Sequence, residues 1–251
     1  MLQSIQDYFR ALAETHPHWN FIYLYDPVQA ARIGEGLVMT LELSVLCVLF
    51  SVVIGVVGAW LQGSHLTWVR RFVQGYIQFF RNTPPLIQLL FFYFALGQFT
   101  PTYSPDGWLE VPVISNVGWA VISLSFFAGA FNVEIFRAGI EAVPESTVEA
   151  ADSLGMSRLQ IYRYVLLPLA FRVSLPALNN NLVNLVKTTT QAIVIAVPEL
   201  LYQLVSIYND YSTAQNACMV LMFVVYVVLV GILVMGMSRW ERRLRIPGYG
   251  G

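Results

Sequence analysis

Five long apolar stretches alternate with polar connections along the chain, and each stretch predicts a helix that crosses a lipid bilayer. An α-helix needs about 20 predominantly apolar residues to span the hydrocarbon core. From the flanking polar residues we place the spans at Leu37–Trp60, Phe72–Gly97, Val117–Gly139, Leu178–Tyr202 and Ala214–Met237. The pattern therefore predicts an all-α integral membrane protein with about five transmembrane helices.

The second span is interrupted by the sequence Arg81–Pro85, which contains two prolines. Proline lacks a backbone donor and disfavours helical geometry in the residue before it, so this sequence is a helix breaker. Two structures remain open: one kinked span, or an interfacial helix followed by a shorter span.

The N-terminal residues predict a helix that lies on the membrane surface, because apolar residues recur there at helical spacing. These apolar residues are Leu2, Ile5, Phe9 and Leu12. We therefore divide the chain into an N-terminal interfacial segment, residues 1–36, and a transmembrane domain, residues 37–251.

An unusually long connection, about residues 141–172, separates the third and fourth spans and carries helix signals of its own. The stretch Glu145–Gly155 is rich in helix formers, and Gly155 suits the left-handed conformation that ends many helices. Ser157 suits the N-cap of a second helix, which we expect to end near Pro168. Two short helices joined by a tight glycine turn predict a rigid projection from the membrane.

The distribution of arginine predicts the orientation, because basic residues are enriched in cytoplasmic connections. Two connections and the C-terminal tail, which alternate with the acidic connections, contribute Arg70, Arg71, Arg158, Arg163, Arg172, Arg239, Arg242, Arg243 and Arg245. The connections at residues 98–116 and 206–213 contain acidic residues and no basic residue. We therefore expect a multi-pass protein with its N-terminus outside and its C-terminus in the cytoplasm.

Composition agrees with a membrane protein and excludes several other classes. The chain is 57% hydrophobic and only 12% charged, whereas soluble domains carry about 25% charged residues. No basic block suggests nucleic acid, and the two cysteines and three histidines form no ligand cluster, so we predict no metal site. A phosphate-binding loop requires Gly-x-x-x-x-Gly-Lys-Ser/Thr, and the one lysine, Lys187, follows Asn-Leu-Val instead. We therefore predict no catalytic residue and no ATP hydrolysis in this chain.

The fourth span is unusually polar, and its polar residues predict a solute path. The candidate path residues are Asn180, Asn184, Lys187, Thr188, Gln191 and, from the second span, Arg81. Four of them, at positions 180, 184, 187 and 191, share one helix face. A lysine at mid-bilayer costs about 2.5–3.5 kcal/mol, so this face must meet protein or water. For Lys187 we favour the path; for the asparagines hydrogen bonding between helices stays open, and Arg81 either contacts the path or reaches the interface.

Two charged residues near the end of the third span, Glu134 and Arg137, lie three positions apart. At this spacing their side chains are neighbours on one helix face. We interpret them as an internal ion pair.

Three sequence blocks in the long connection resemble the EAA signature of permease subunits of ATP-binding-cassette importers. They are Glu149-Ala150-Ala151, Gly155 and Val165-Leu166-Leu167-Pro168. Further stretches are similar to the polar amino acid branch (histidine, glutamate, glutamine, opine): Phe80–Leu86, Glu134–Gly139 and Asn184–Lys187. The tail Glu241–Gly248 is similar to members that serve glutamate and aspartate.

This resemblance implies that the chain is a permease subunit of an ATP-driven importer for polar amino acids in a bacterial inner membrane. Such a subunit forms the translocation path and couples it to a separate ATPase. The signature segment would be the coupling helix, docking on an ATPase through Glu149, Ala150, Ala151, Gly155, Leu167 and Pro168. The small side chains of Ala150 and Ala151 would let the partner approach closely. The expected partners are a second permease subunit (identical or paralogous), two cytoplasmic ATP-binding subunits that hold ATP and Mg, an external solute-binding protein, an amino acid substrate and membrane lipid.

Two rival functions are an intramembrane enzyme and an ion-driven secondary amino acid carrier. An enzyme would need a catalytic constellation such as His-Glu-x-x-His or Gly-x-Ser-x-Gly, and the sequence has neither. A carrier often shows internal repeats and acidic groups at the membrane midplane. We find no repeat, and a projecting pair of helices would have no purpose in a carrier.

Overall fold

The structure, a computed structural model, describes residues 2–244, with side chains from residue 5 onward. Its helices are α1 (Leu2–Thr15), α2 (Pro27–Gln62), α3 (Thr67–Asn82), α4 (Pro85–Leu90), α5 (Asn116–Glu141), α6 (Glu145–Ser153), α7 (Arg158–Ile161), α8 (Leu167–Thr188), α9 (Leu200–Asp210) and α10 (Gln215–Leu244). Two short strands, β1 (Thr102–Tyr103) and β2 (Val111–Pro112), pair antiparallel, with Thr102 opposite Pro112. The all-α membrane fold predicted from the apolar pattern is confirmed. The tail beyond Leu244, including Arg245, lies outside the described residues.

Four described helical stretches are long and apolar enough to cross a membrane. They are Pro27–Gln62, Asn116–Glu141, Arg158–Ile195 and Ser212–Leu244. A shorter apolar stretch, Pro85–Phe99, corresponds to the end of the predicted second span. The expected count of about five spans therefore corresponds to four long helical stretches and one shorter one.

The first span starts earlier than the prediction at Leu37, because α2 begins at Pro27. A side-chain oxygen of Asp26 accepts a hydrogen bond from the backbone N–H of Val28 at 2.8 Å. This contact satisfies a donor at the start of the helix. The division of the chain into residues 1–36 and 37–251 stays a prediction.

The second span is split, which decides between the two structures left open by the sequence. Thr83 ends α3 in an extended conformation, with φ −115° and ψ 143°, because the following proline disfavours helical geometry there. The buried side-chain amide of Gln88 donates to the carbonyls of Phe80, at 2.9 Å, and Thr83, at 3.0 Å. Gln88 therefore binds carbonyl groups that the break leaves without helical partners.

The predicted second helix of the long connection does not end near Leu167 and Pro168. It continues as α7, a π-helical stretch (Tyr162–Leu166) and α8. The N–H of Leu167 bonds to the carbonyl of Tyr162, five residues earlier. This wider turn lets the helix pass the position at which Pro168 cannot donate. The fourth span therefore starts well before the predicted Leu178.

The fourth span also ends before the predicted Tyr202. After α8 a 3-10 stretch, Thr189–Ile195, leads to Ala196 in the left-handed conformation. Pro198 and Glu199 follow, and α9 begins at Leu200. A left-handed residue followed by a proline stops the helix, although the apolar pattern continues through it.

Residue contacts divide the chain into two units. The first unit consists of the chain up to Leu46, Leu89–Val121 and Val186–Gly231, and the second of Cys47–Gln88, Ile122–Leu185 and the chain from Ile232. The core of the first unit contains Ile22, Tyr23, Leu200, Leu204, Ile207, Ala214, Ala217 and Cys218. A core of the second unit contains Ala59, Val73, Ile77 and Val133.

Small residues let helices of the second unit approach closely. An added Cβ at Gly58 would collide with the side chain of Val133, and one at Gly139 with the hydroxyl of Ser174 and the carbonyl of Ala170. These contacts bring α2 and α8 against α5. Interfaces between membrane helices commonly use such small residues.

Candidate functional site

The long connection at residues 141–172, which we call the coupling segment after the role that the resemblance implies, has the glycine turn that its sequence predicts. Gly155 has φ +78°, a region that residues with a Cβ avoid. The N–H of Gly155 bonds to the carbonyl of Asp152 at 2.8 Å, and that of Met156 to Ala151 at 3.3 Å. This pair of bonds is the Schellman motif, which satisfies the last carbonyls of α6.

The second half of the turn is fixed by Ser157, as predicted. Its hydroxyl accepts from the N–H of Gln160, and the Gln160 side chain accepts from the N–H of Ser157 at 2.8 Å. This reciprocal pair is a capping box. Hydrogen bonds between residues a few positions apart therefore stabilise the conformation of the segment between α6 and α7.

The exposed surface of the coupling segment includes apolar side chains. Leu154 is 82% exposed and Leu159 is 76% exposed. Glu149 and Ala150 are exposed, whereas Ala151 is buried. Of the two alanines only Ala150 therefore contributes to the exposed surface, and close approach of a partner at these residues stays a prediction. Leu167 and Pro168 are exposed within the continuous helix rather than at its end.

The polar face of the fourth span is exposed along α8, as its spacing predicts. Asn180, Asn184 and Lys187 are exposed, while neighbouring positions such as Leu182 and Leu185 are buried. Among residues 2–244, Lys187 has no hydrogen bond or ion pair through its side chain, and Asn184 has an interaction partner.

The last two candidate path residues of the fourth span differ from this pattern. Thr188 is buried and has a partner. Gln191 is half-buried and lies in the 3-10 stretch beyond α8, where the 3.6-residue period no longer applies. The helical face that the sequence predicts therefore ends at Lys187.

Two other asparagines of α8 form hydrogen bonds between helices. The Asn181 amide donates to the carbonyl of Ala128 at 3.0 Å and to the side chain of Asn132 at 2.8 Å, both on α5. The Asn179 amide donates to a Glu241 carboxylate oxygen on α10 at 2.9 Å. Hydrogen bonding between helices therefore occurs at two asparagines that are not candidate path residues, and the alternative for Asn180 and Asn184 stays open.

Arg81 takes part in a cluster of charges with residues of α5. Its guanidinium lies 3.7 Å from a Glu134 carboxylate oxygen and stacks over the ring of Phe131. Arg137 binds Glu134 at 3.1 Å and Glu141 at 2.6 Å. The predicted Glu134–Arg137 ion pair is confirmed, and Arg81 joins it.

The sequence reasoning missed a buried carboxylate in the first unit. Glu199 is 1% exposed and caps α9 by accepting from the N–H groups of Leu201, at 2.9 Å, and Tyr202, at 2.8 Å. The Tyr226 hydroxyl donates to the same carboxylate at 2.9 Å. Thr40 of α2 accepts from the N–H of Leu200 at 3.0 Å. The available signal was the Pro198–Glu199 pair, a helix-start pattern inside a predicted span.

A second missed group fastens α2 to α9. The Arg32 guanidinium donates to side chains of Gln29, Gln203, Ser206 and Asp210. The ion pair with Asp210 has a distance of 3.0 Å. Positions 32 and 210 are far apart in sequence, so spacing could not reveal this contact.

Comparisons with known proteins agree with this architecture. The family model for the inner membrane component of binding-protein-dependent transport systems matches residues 51–246. The octopine transport system permease protein OccM of Rhizobium radiobacter is 31% identical over 181 residues, which are 70% of this chain and 73% of the relative. The glutamate/aspartate import permease protein GltJ of Escherichia coli K12 is 28% identical over 223 residues, 86% of this chain and 88% of the relative.

A solved structure has the same fold. The crystal structure of an amino acid ABC transporter with histidines contains a chain that is 31% identical, with a TM-score of 0.74. The match covers 88% of this chain and 98% of that chain.

Proposed function

Since this chain belongs to the family of inner membrane components of binding-protein-dependent transport systems and is a permease subunit of an ABC importer, we propose that it carries polar amino acids, along a path lined by α8. Its relatives include permeases for octopine and for glutamate and aspartate. Family membership disfavours the ion-driven carrier and the intramembrane enzyme. Glutamate and aspartate are the first substrates to test, because the tail Glu241–Gly248 is similar to members that carry them.

The exposed polar face of α8 is the observation that supports this path. Lys187 is exposed on a helix long enough to span the membrane. A charge there is costly unless protein or water surrounds it. Its ammonium group offers a partner to the α-carboxylate of an amino acid. Asn180 and Asn184 extend the face with amide donors and acceptors, and Gln191, in the 3-10 stretch beyond this face, remains a further candidate path residue.

The complex that we propose contains further subunits, and the orientation follows from the arginine pattern. A second permease subunit, identical or paralogous, completes the path; two ATP-binding subunits hold ATP and Mg; an external binding protein delivers the solute. The N-terminus lies outside and the C-terminus in the cytoplasm. The exposed leucines beside Gly155 and the exposed Glu149 give the coupling segment a surface for the ATPase.

Replacing Lys187 by Met tests the path, because it keeps the length of the side chain and removes its charge. We expect Lys187→Met to assemble, to hydrolyse ATP and to lose most uptake of labelled amino acids in reconstituted vesicles. The matched variant is Asn181→Ala, which removes hydrogen bonds to α5. It should reduce the yield of assembled complex and leave uptake per complex largely unchanged. Normal uptake per complex for Lys187→Met would remove this residue from the path.

Replacing Gly155 by Asp tests the coupling segment. It adds a charge and strains the turn, so we expect transport and ATPase association to be lost while the chain stays inserted. Gly107→Asp is the control: Gly107 also has a positive φ, +73°, and an open position for a Cβ, but lies in the β1–β2 connection. Equal loss in both variants, or normal transport by Gly155→Asp, would contradict the coupling role.

A further inference from the structure

A crevice of about 510 Å³ opens in the second unit between the end of α2, the first half of α3 and the end of α5. Its polar lining includes Gln62, Thr67, Arg70, Arg71, Gln74 and Arg137. Two carboxylates, Glu134 and Glu141, also line it, and both are bound by Arg137. Arg81, which lies outside the lining, balances the second carboxylate through its contact with Glu134. The crevice therefore has two carboxylates already paired with arginines and two further arginines.

The charges of Arg70 and Arg71 are not neutralised by the described part of the chain. Neither forms an ion pair with a carboxylate of residues 2–244. Arg70 donates only a long hydrogen bond, 3.4 Å, to the Thr67 hydroxyl. Both side chains are exposed. Two adjacent guanidinium groups at the edge of a crevice favour an anion, and phosphate oxygens suit the guanidinium geometry.

Helix α3, which carries Arg70 and Arg71, also has exposed aromatic side chains that face away from the protein. Val73, Ile77 and Phe80 pack inside, whereas Trp68 is 69% and Phe72 is 75% exposed. Around the axis of α3, Trp68 and Phe72 form an exposed aromatic stripe on the side next to Arg71. Trp60, near the end of α2, is likewise exposed. Tryptophan with adjacent arginine is typical of the headgroup level of a bilayer.

An unpaired hydrogen-bond acceptor favours a lipid headgroup over a bare anion at this site. The side-chain oxygen of Gln62 is buried in this crevice and has no hydrogen-bond partner in the described part of the chain. A buried acceptor without a donor is costly, so a ligand with a hydroxyl group would satisfy it. Phosphatidylglycerol supplies both a phosphate and hydroxyl groups.

We propose that this crevice is a binding site for an anionic phospholipid. The phosphate lies between Arg70 and Arg71, a headgroup hydroxyl donates to Gln62, and the acyl chains lie along Trp68 and Phe72. Basic pockets between membrane helices are known to accept anionic headgroups. The site concerns the lipid surroundings of the chain and does not depend on which solute is carried.

Photolabelling of the assembled complex tests the site. The complex is placed in nanodiscs of phosphatidylcholine that contain a small fraction of photoactivatable phosphatidylglycerol, and labelled peptides are identified by mass spectrometry. We expect labelling within residues 62–74, and a loss of about tenfold in Arg70→Gln/Arg71→Gln. Arg70→Lys/Arg71→Lys keeps the charge and should retain most labelling, which separates loss of the site from misfolding.

The matched control is Arg242→Gln/Arg243→Gln. These two arginines are also adjacent and exposed, near the exposed Trp240 at the end of α10, but the crevice does not include them. Their replacement should change labelling of residues 62–74 by less than about twofold.

Three outcomes would overturn the proposal. Equal labelling in the Arg70/Arg71 glutamine variant and the control would exclude arginine recognition. Full competition by excess inorganic phosphate or glycerophosphoglycerol would show a site for a soluble anion instead of a lipid. Labelling of the isolated chain but not of the assembled complex would show that a partner subunit occupies the crevice.

Discussion

The turns at Gly155 and at Ala196 end two helical stretches with the same hydrogen-bond pattern, yet different contacts hold the two turns. At the second turn the N–H of Ala196 bonds to Ile193 at 2.9 Å and that of Val197 to Ala192 at 3.2 Å, which repeats the motif found at Gly155. Both residues are exposed, but glycine suits the φ of +78° at position 155, whereas Ala196 has a φ of 57° despite its Cβ.

The difference lies in what holds each turn. The Gly155 turn is held by residues within the segment itself, mainly the Ser157–Gln160 capping box. The Ala196 turn leads into the buried Glu199, which binds Tyr226 of α10, while Thr40 of α2 binds the N–H of Leu200. One turn is therefore determined locally and the other by tertiary contacts, which can impose a left-handed alanine that costs about 1–2 kcal/mol.

The largest expected effect is that of Glu199→Ala, which removes the tertiary support of the second turn. Two N–H groups and the Tyr226 hydroxyl would lose their acceptor in a buried site, at about 1–3 kcal/mol for each unsatisfied group. We expect the free energy of unfolding to fall by about 3 kcal/mol or more, measured by thermal unfolding of the purified chain in detergent. Glu149→Ala, at an exposed position of α6, should cost less than about 0.5 kcal/mol. Equal shifts in the two variants would show that Glu199 does not hold the turn.

A smaller effect is expected for Gly155→Ala. A Cβ at this position has open space around it, so only the backbone conformation is strained, at about 1–2 kcal/mol. Gly107→Ala provides the reference, because its φ of +73° and its open surroundings are nearly the same. Similar losses of unfolding free energy would confirm a local cost; a much larger loss at Gly155 would point to tertiary contacts of the first turn.

The smallest effect has the opposite sign and is expected for Ala196→Gly. Glycine removes the left-handed strain of about 1–2 kcal/mol but increases the entropy of the unfolded chain, which offsets about 0.4–1 kcal/mol of the gain. We expect a net stabilisation of about 0.5 kcal/mol in the same unfolding measurement. Ala150→Gly, on the exposed face of α6, should instead destabilise by about 0.5–1 kcal/mol. A destabilised Ala196→Gly variant would mean that the methyl group contributes packing that exceeds the strain.

The same contrast explains which features the sequence could predict. Helical spacing located the exposed face of α8, because Asn180, Asn184 and Lys187 follow the 3.6-residue period. Glycine and serine signals located the turn of the coupling segment, since its hydrogen bonds join residues a few positions apart. The order of the apolar stretches gave the membrane class.

Features that depend on distant residues were missed or misplaced. Spacing could not show that Glu199 meets Tyr226, or that Arg32 meets Asp210. The end of the fourth span was placed too late, because the residues around Ala196 remain apolar although the backbone turns there. The helix was expected to end near Pro168 because a local rule treats proline as a stop, while the π-helical stretch before it lets the helix continue.

The charge cluster of Arg81, Glu134, Arg137 and Glu141 has a consequence for how the protein responds to the membrane potential. Its two positive and two negative formal charges cancel. A displacement of the cluster as a body through the transmembrane field therefore does no net electrical work. An uncompensated charge moved across the whole field would exchange about 2.3 kcal/mol per 100 mV. The cluster thus lets α3 and α5 keep strongly interacting charges while displacement of the cluster itself stays insensitive to voltage.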